Sequence, residues 1–492
     1  MSRLMIGISG VRGVVGENLT PALLVNLGQA FGTWVDGGLV VVGRDTRVTG
    51  EMVKHAVFAG LLAAGCRIVD AGVVGTPTAA MSIRRLGAHG GVVISASHNP
   101  IEWNALKFFR ADGIYLNEAE GRELLDIYYG GDMRKVGHDR IHAVRSVDEA
   151  VEFHLRRVLE RVDVPALRRR GFTVALDCCN GAGSDIALRF LEAIGAKSHA
   201  IHCAMDGRFP RPPEPKPDNI IELRGLVRRH RADAGFAQDA DADRLAIVSE
   251  KGVYIGEEYS LCLAARLLLS RAPGRLVTNL STTRMVDDVA ARHNSEVIRT
   301  PVGEVNVATA MLRTGAVIGG EGNGGVIDPQ VHMGRDALAG MALTLQLMLE
   351  TGKTITQLAA EIPTYHISKQ KIDGSKMQVA PALEALAHED ALAVDTQDGV
   401  KLDFAEGWVH VRPSNTEPIV RVYAEARTRA GANALATRYR RWVQKRLAAP
   451  RGGPDKPRRR PASAGALSAA LSGAAPPEGG PPRLPPGHKK GA

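Results

Sequence analysis

At 492 residues the chain is too long for one ordinary core, and roughly 100–200 residues per domain predicts three or four domains. Its 45% apolar and 23% charged content is that of a soluble globular protein, and its longest apolar run, residues 261–269, is broken by Arg266 and too short to span a bilayer. The net charge of +9 argues for nucleic-acid binding only until it is located: residues 449–492 hold eight Lys/Arg and two acids, +6 of the total, which leaves +3 on everything before them.

Residues 1–5 run into Gly-rich sequence with no apolar h-region, so no secretory leader is expected. Strand-like and helix-like segments then alternate. Residues 39–42 form an apolar run ending at Gly43, residues 51–64 carry helical spacing that ends at Gly65, and residues 67–74 and 91–94 read as buried strands. A second series starts at 172–176, continues with a helix near 185–194, and resumes at 234–236 and 245–248. A third covers 276–348. This rhythm predicts three similar α/β domains with mixed sheets. From about residue 367 the pattern changes: strands at 400–404, 408–412 and 419–426 precede a helix at 430–447, which predicts a smaller α+β domain. The expected domains are 1–153, 154–254, 255–367 and 368–448 around a central cleft, followed by a tail at 449–492 rich in Pro, Gly, Ala and basic residues. Such a tail cannot bury enough apolar surface to offset its chain entropy and is read as disordered. Its Lys456-Pro457-Arg458-Arg459-Arg460 run offers weak contact to RNA or acidic surfaces at most. Five cysteines (66, 178, 179, 203 and 262), odd in number and without metal-site spacing, fit a reducing cytoplasm.

Four polar clusters stand out. Ser95-Ala96-Ser97-His98-Asn99-Pro100 follows the strand Val92-Val93-Ile94, which puts Ser97 at the C-terminal edge of a sheet, where α/β proteins bind ligands. Adjacent side chains on extended backbone diverge, so His98 is not automatically the base for Ser97, and a turn with capping side chains is the bland alternative. In Asp239-Ala240-Asp241-Ala242-Asp243-Arg244, carboxylates at i, i+2 and i+4 would lie about 7 Å apart on a straight strand. Convergence on Mg²⁺, which holds oxygens at about 2.1 Å, requires the segment to curl, and the two alanines permit it. An EF-hand is disfavoured because Arg244 stands where its glycine belongs. Gly319-Gly320-Glu321-Gly322-Asn323-Gly324-Gly325 suits close approach to a polyhydroxyl ligand, or is a plain glycine turn. Arg412-Pro413-Ser414-Asn415-Thr416-Glu417-Pro418, with Arg421 beyond, combines the donors that a phosphate dianion requires, or is a polar hairpin. There is no Walker-type loop, and Gly181-Ala182-Gly183, with Ile186 where a third glycine would belong, reads as a plain β–α turn.

With these four motifs in this order, residues 5–447 resemble the α-D-phosphohexomutase superfamily of phosphoglucosamine mutases, phosphomannomutases and phosphoglucomutases. The resemblance implies that Ser97 cycles between free and phosphorylated forms, flanked by His98 and Asn99, and that Asp239, Asp241 and Asp243, with phospho-Ser97, hold Mg²⁺ beside Arg244. It implies that Glu321 grips sugar hydroxyls, with Asn323 in the same loop, and that Arg412, Ser414, Asn415, Thr416 and Arg421 hold the non-reacting phosphate. Arg12 matches an arginine near the phosphoserine and Lys107 a general acid/base, a role that as a base requires a depressed pKa. The common sugar loop reads Glu-x-Ser-Gly-His; here Asn323 replaces the serine and Gly325 the histidine, and Ala240 stands where the metal loop usually has glycine. The form Gly-Glu-Gly-Asn-Gly-Gly, with Thr300-Pro301-Val302-Gly303-Glu304 upstream, is most similar to archaeal-type phosphoglucosamine mutases.

The activity that this resemblance implies is interconversion of hexose 6-phosphate and 1-phosphate through a hexose 1,6-bisphosphate, which also serves as activator, with glucosamine phosphate preferred over mannose or glucose phosphates. The expected partner is a small sugar phosphate, with no membrane and no dedicated nucleic acid, in a monomer or homodimer. The rivals are a phosphatase using the same serine and a non-catalytic sugar-phosphate-binding protein.

Overall fold

The computed structural model describes residues 4–7, 10–374, 376–414 and 419–448. The first sheet is built from β1 (Met5–Gly7), β2 (Gly10–Val14), β3 (Leu39–Arg44), β4 (Arg67–Val73), β5 (Gly90–Ile94), β6 (Trp103–Arg110) and β7 (Arg145–Ser146), in the order β1-β2-β6-β5-β3-β4-β7. The second holds β8 (Thr173–Asp177), β9 (Lys197–Ile201), β10 (Ala234–Gln238) and β11 (Leu245–Ser249), ordered β11-β10-β8-β9. The third holds β12 (Arg275–Asn279), β13 (Glu296–Thr300), β14 (Ile318–Glu321) and β15 (Gly325–Ile327), ordered β13-β12-β14-β15. The fourth, wholly antiparallel, holds β16 (His366–Asp373), β17 (Ala393–Asp395), β18 (Val400–Asp403), β19 (Gly407–Pro413) and β20 (Ile419–Ala426), ordered β16-β20-β19-β18-β17.

One four-strand unit recurs in the first three sheets. Its first strand pairs in parallel with its second and third, and the third turns back into an antiparallel fourth: β3-β4-β5-β6, β8-β9-β10-β11 and β12-β13-β14-β15. Parallel pairing demands crossovers, and helices supply them, Gly50–Ala63 and Thr76–Arg85 in the first unit, Ser184–Ala193 and Ile221–His230 in the second, Met285–Arg292 and Glu304–Thr314 in the third. Val40, Val42, Val92 and Ile94 pack on one face of the first sheet and Val41 and Val93 on the other, which is why these strands read as continuous apolar runs rather than alternating ones. In every unit the turn from third to fourth strand lies at the C-terminal edge of the parallel strands. Those turns carry Ser97, the aspartates 239–243 and the loop after Glu321.

A single apolar core runs through the second and third sheets, with Phe172, Phe236, Leu267, Ile318 and Leu343 in one cluster. Helices Tyr259–Arg271 and Ala337–Thr351 form its middle. The C-terminal sheet has its own core of Val409, Val411, Val422, Tyr439 and Val443. It meets the third unit through polar contacts: Arg284 Nη2 to Asp403 at 3.0 Å, Ser281 Oγ with His410 Nδ1 at 2.8 Å, and the Val302 amide to Asp398 at 3.0 Å. A buried polar relay ties the first unit to the third. Thr78 Oγ1 lies 2.8 Å from His154 Nδ1, and His154 Nε2 lies 2.8 Å from Asp336 Oδ2, all three side chains fully enclosed. Asp336 also caps helix Ala337–Thr351 through the Leu338 amide.

Residue 153 falls within helix Ala150–Leu159, residue 254 in an isolated antiparallel bridge to Val248 of β11, and residue 367 within β16. The tail at 449–492 lies outside the described residues. Among the described residues no helix is long and apolar enough to cross a membrane, and the five cysteines are free thiols.

Candidate active site

Ser97 leaves β5 with φ +49, a left-handed conformation that a non-glycine residue holds only when its surroundings impose it. Those surroundings are a buried ion pair. Asp45 accepts from Ser95 Oγ at 2.7 Å and pairs with Arg47, and Arg47 Nη2 donates to the Ser97 carbonyl at 3.0 Å and the Asn99 carbonyl at 2.6 Å. The Ser97 amide donates to Ser95 Oγ at 2.9 Å. So held, the Ser97 hydroxyl donates to Asp239 Oδ2 at 2.7 Å, joining the first unit to the second.

The aspartate segment curls as the alanine spacing predicted. Ala242 takes φ +59, the Asp243 and Arg244 amides turn in to Asp239 Oδ1 at 3.2 Å each, and donor oxygens of Asp239, Asp241 and Asp243 lie within 4.8 Å of one another. The turn at Gly181–Gly183 is the plain β–α turn expected, and it braces this loop, the Ala182 amide donating to the Ala240 carbonyl at 2.8 Å. All three carboxylates are buried, and Asp241 Oδ1 and Asp243 Oδ1 have no hydrogen-bond partner. Two orphaned carboxylate oxygens beside a third carboxylate are a donor set that fits a hard divalent cation. Burial, then Asp243 and Asp241, push the Asp239 carboxyl well above its ordinary range. Asp241 goes the other way: burial raises it, but Lys107 and Thr76 more than reverse that.

Lys107 lies on β6 and Arg12 on β2, opposite Ala105. Lys107 Nζ donates to Asp241 Oδ2 at 2.5 Å, and Thr76 Oγ1 donates to the same oxygen at 2.6 Å. The depressed pKa expected of Lys107 is not what this geometry produces. Burial pulls it down, but Asp241, then Tyr115 and Asp243, outweigh burial and hold the ammonium up. Arg12 Nη1 donates to Asn99 Oδ1 at 2.6 Å. The His98 imidazole is kept well below its ordinary range by Arg244, burial and Arg12, so it is neutral near pH 7.

A cavity of about 550 Å³ opens beside these groups. Arg12, His98 and Asn99 line it from the first unit, Arg244 from the second, Glu321 and Asn323 from the third, and Arg412 and Arg421 from the C-terminal sheet. Ser97 and the aspartates are buried next to residues that line it. Glu321 is fixed by Asn279 Nδ2 at 2.9 Å and Arg335 Nη1 at 2.8 Å. Arg412 Nε donates to Asp398 at 2.7 Å, and the Ser414 amide closes the hairpin on the Ile419 carbonyl at 2.8 Å. Asn415 and Thr416 lie outside the described residues.

Sequence reading passed over Asp45, Arg47, Thr76 and Arg335. Their signal was charge or a hydroxyl at the C-terminal end of a strand or the start of a helix: Arg44-Asp45-Thr46-Arg47 after β3, and Arg335-Asp336 before helix Ala337–Thr351.

Four family models of phosphoglucomutase/phosphomannomutase match the chain in succession: α/β/α domain I at residues 3–135, domain II at 152–252, domain III at 256–365 and the C-terminal domain at 373–441. The chain belongs to the α-D-phosphohexomutase superfamily. As a phosphohexomutase it is an intramolecular phosphotransferase of the isomerase class. Its relatives include a probable phosphoglucosamine mutase of Methanopyrus kandleri, 39% identical over 87% of this chain and 95% of the relative. A phosphoglucomutase/phosphomannomutase of Thermococcus kodakarensis is 37% identical over 86% and 95%. Among solved structures, a phosphoglucomutase/phosphomannomutase family protein of Burkholderia thailandensis superposes with a TM-score of 0.80 at 26% identity, covering 90% of this phosphohexomutase and 98% of that chain.

Proposed function

We propose that this phosphohexomutase interconverts hexose 6-phosphate and hexose 1-phosphate through phospho-Ser97 and a 1,6-bisphosphate, with glucosamine phosphate as its preferred sugar. The observation that carries this reading is the 2.7 Å contact between the Ser97 hydroxyl and Asp239, at the head of a buried carboxylate cluster beside a cavity lined by residues from all four sheet units. In this reading Asp239, Asp241 and Asp243, with the phosphate on Ser97, would hold Mg²⁺, which would supply positive charge to offset that of the phosphoryl group.

The chain's own residues do the remaining work. The left-handed turn at Ser97 aims its oxygen at the cluster, and Arg12 and Arg244 present positive charge along the path. Lys107, held as an ammonium by Asp241, supplies the acid half of the exchange by donating a proton to the oxygen released as the phosphoryl group moves. Glu321 and Asn323 accept from and donate to sugar hydroxyls. Arg412, Ser414, Asn415, Thr416 and Arg421 hold the phosphate that is not reacting. The bisphosphate must turn over between the two transfers, and the separate core and polar contacts of the C-terminal domain support a part that opens to allow it. Four domains divide this labour, near 1–153, 154–254, 255–367 and 368–448, with the bounds at 153 and 367 moved back to keep helix Ala150–Leu159 and β16 whole.

The preference for glucosamine phosphate rests on the Gly-Glu-Gly-Asn-Gly-Gly loop and on relatives named probable phosphoglucosamine mutase. The test is a set of coupled mutase assays on glucosamine, mannose and glucose phosphates with the matching bisphosphate, alongside release of inorganic phosphate. Highest kcat/KM on mannose or glucose phosphate would move the substrate assignment, and phosphate release without isomerisation would make the protein a phosphatase.

A further inference from the structure

Arg335 stands at the junction of the two loops assigned to cation and sugar, and it is not among the residues that the sequence motifs single out. Its guanidinium is enclosed and touches three carboxylates from two different sheet units. Nη2 donates to Asp243 Oδ2 at 2.6 Å, Nη1 donates to Glu321 Oε2 at 2.8 Å, and Nε lies 2.9 Å from Glu304 Oε2. Its own backbone amide donates to Glu304 Oε1 at 2.9 Å. Asp243 is a candidate cation ligand, and Glu321 is the candidate sugar grip that lines the cavity.

Gly325 explains how this residue fits. The backbone at 325 is in an ordinary region, so nothing in its own conformation demands glycine. A Cβ there would lie 2.8 Å from Arg335 Cγ and nearer still to Cδ, so the stem of Arg335 fills the space that a side chain at 325 would take. Its neighbour Gly324 differs, with φ +88 and a Cβ position 2.5 Å from the Leu245 carbonyl oxygen, so that glycine is set by backbone. The departure of the loop from the Glu-x-Ser-Gly-His form at position 325 and the presence of Arg335 are therefore one feature, not two.

We propose that Arg335 is a positioning residue that locks Glu321 to Asp243, setting the sugar-facing carboxylate at a fixed distance from the cation site, and that position 325 is glycine in order to admit it. The physical ground is that several carboxylates buried close together repel strongly in a low dielectric unless a cation lies between them. A planar guanidinium donates along two fixed directions at once, which an ammonium cannot do. Because Arg335 also neutralises part of the charge on Asp243, it opposes Mg²⁺ binding while it supports sugar binding. Its removal therefore weakens sugar binding without weakening Mg²⁺ binding.

This inference rests on the proposed mutase function, and the experiment separates the two. Wild type, Arg335→Met, Arg335→Ala, Arg335→Lys, Gly325→His and the double variant Gly325→His/Arg335→Ala are compared on whichever hexose phosphate the wild type turns over fastest. Mg²⁺ affinity is measured separately by calorimetry. Arg335→Met is expected to raise KM about tenfold or more with a smaller change in kcat, and to leave Mg²⁺ affinity unchanged or tighter. Arg335→Lys should fall between the two. Gly325→His should lose most activity alone, yet add little to Arg335→Ala, since the Cγ and Cδ that crowd position 325 are then gone and the two effects are not additive. An Arg335→Met enzyme with wild-type KM, or one in which sugar and Mg²⁺ affinity fall together, would overturn the proposal while the mutase function stood. Should Arg335→Met fail to fold, Arg335→Lys with wild-type KM, or a double variant worse than Gly325→His alone, overturns it equally. Absence of mutase activity in the wild type on every hexose phosphate sinks the proposed function first, and this inference with it.

Discussion

Ser97 and Asp239, 142 residues apart in the chain, are joined by one hydrogen bond of 2.7 Å between hydroxyl and carboxylate. The bond crosses from the first sheet unit to the second, and it links corresponding turns of the two repeats. Ser97→Ala removes the oxygen proposed to carry the phosphoryl group between substrate positions. Mutase activity should fall by at least about 10³-fold, and incubation with hexose 1,6-bisphosphate should no longer add a phosphate to the intact mass. A Ser97→Ala enzyme that still isomerises would place the phosphoryl carrier elsewhere.

Chelation should abolish activity, and Mg²⁺ should restore it better than Ca²⁺. The three carboxylates lie within 4.8 Å of one another, near enough for one hard divalent cation to draw them together, and the choice of Mg²⁺ over Ca²⁺ follows from the phosphoryl transfer proposed for the site. Asp241→Asn should weaken Mg²⁺ binding by about tenfold or more, read by calorimetry. Full activity after exhaustive dialysis against EDTA would remove the cation from the scheme.

The relay from Thr78 through His154 to Asp336 is buried and outside the cavity, so its role is in stability. Burial raises the Asp336 carboxyl, but His154 and then His332 more than reverse this and hold it ionised. Asp336→Asn takes the charge from a buried carboxylate that meets His154 and caps helix Ala337–Thr351, and should destabilise by about 2 kcal/mol, whereas Thr78→Val, which loses one neutral hydrogen bond, should cost about 1 kcal/mol. Thermal melting of both variants gives the order, and equal melting temperatures would deny the carboxylate its larger share.

Burial, against the opposing influence of Asp398, lowers the His410 imidazole to about 4, with Arg412 and Lys401 adding to the effect. An unfolded histidine titrates near about 6.5, so between that pH and about 4 the unfolded chain binds a proton that the native one refuses. Stability contributed here is present above about pH 6.5 and is lost as pH falls through this window, by an amount on the order of 2 kcal/mol. His410 Nδ1 meets Ser281 of the third unit, so acid should loosen the C-terminal domain first. Urea midpoints from pH 7 to 4.5 should fall less steeply for His410→Gln than for wild type. Parallel slopes would shift the acid sensitivity to another group.

Every described site residue lies before residue 449, and the last family match ends at residue 441. Deleting residues 449–492 should leave kcat/KM within about twofold. A larger loss would give the tail a part in the reaction.

Much of the site was legible in the chain because its parts are local. A serine after a buried strand, aspartates at alternate positions with alanines between, and an arginine ahead of a Ser-Asn-Thr turn each state a chemistry within six or seven residues. The repeated strand and helix rhythm likewise announced three α/β units and a different fourth, since buried parallel strands and amphipathic crossovers leave distinct periodicities. What local pattern does not record is the sign of a field summed over distant charges. Lys107 was expected to have a depressed pKa, and the nearness of Asp241, 134 residues away, reversed the direction.

The sequence alone determined the fold class, the family and the identity of the chemical groups, because these depend on side-chain type and short-range spacing. Only the tertiary structure decided which groups meet: Arg47 beneath the Ser97 turn, Thr76 on Asp241, Arg335 between Asp243 and Glu321 in the space left by Gly325. Such contacts join residues whose separation along the chain carries no information about their separation in space, and electrostatic and steric forces act on the latter.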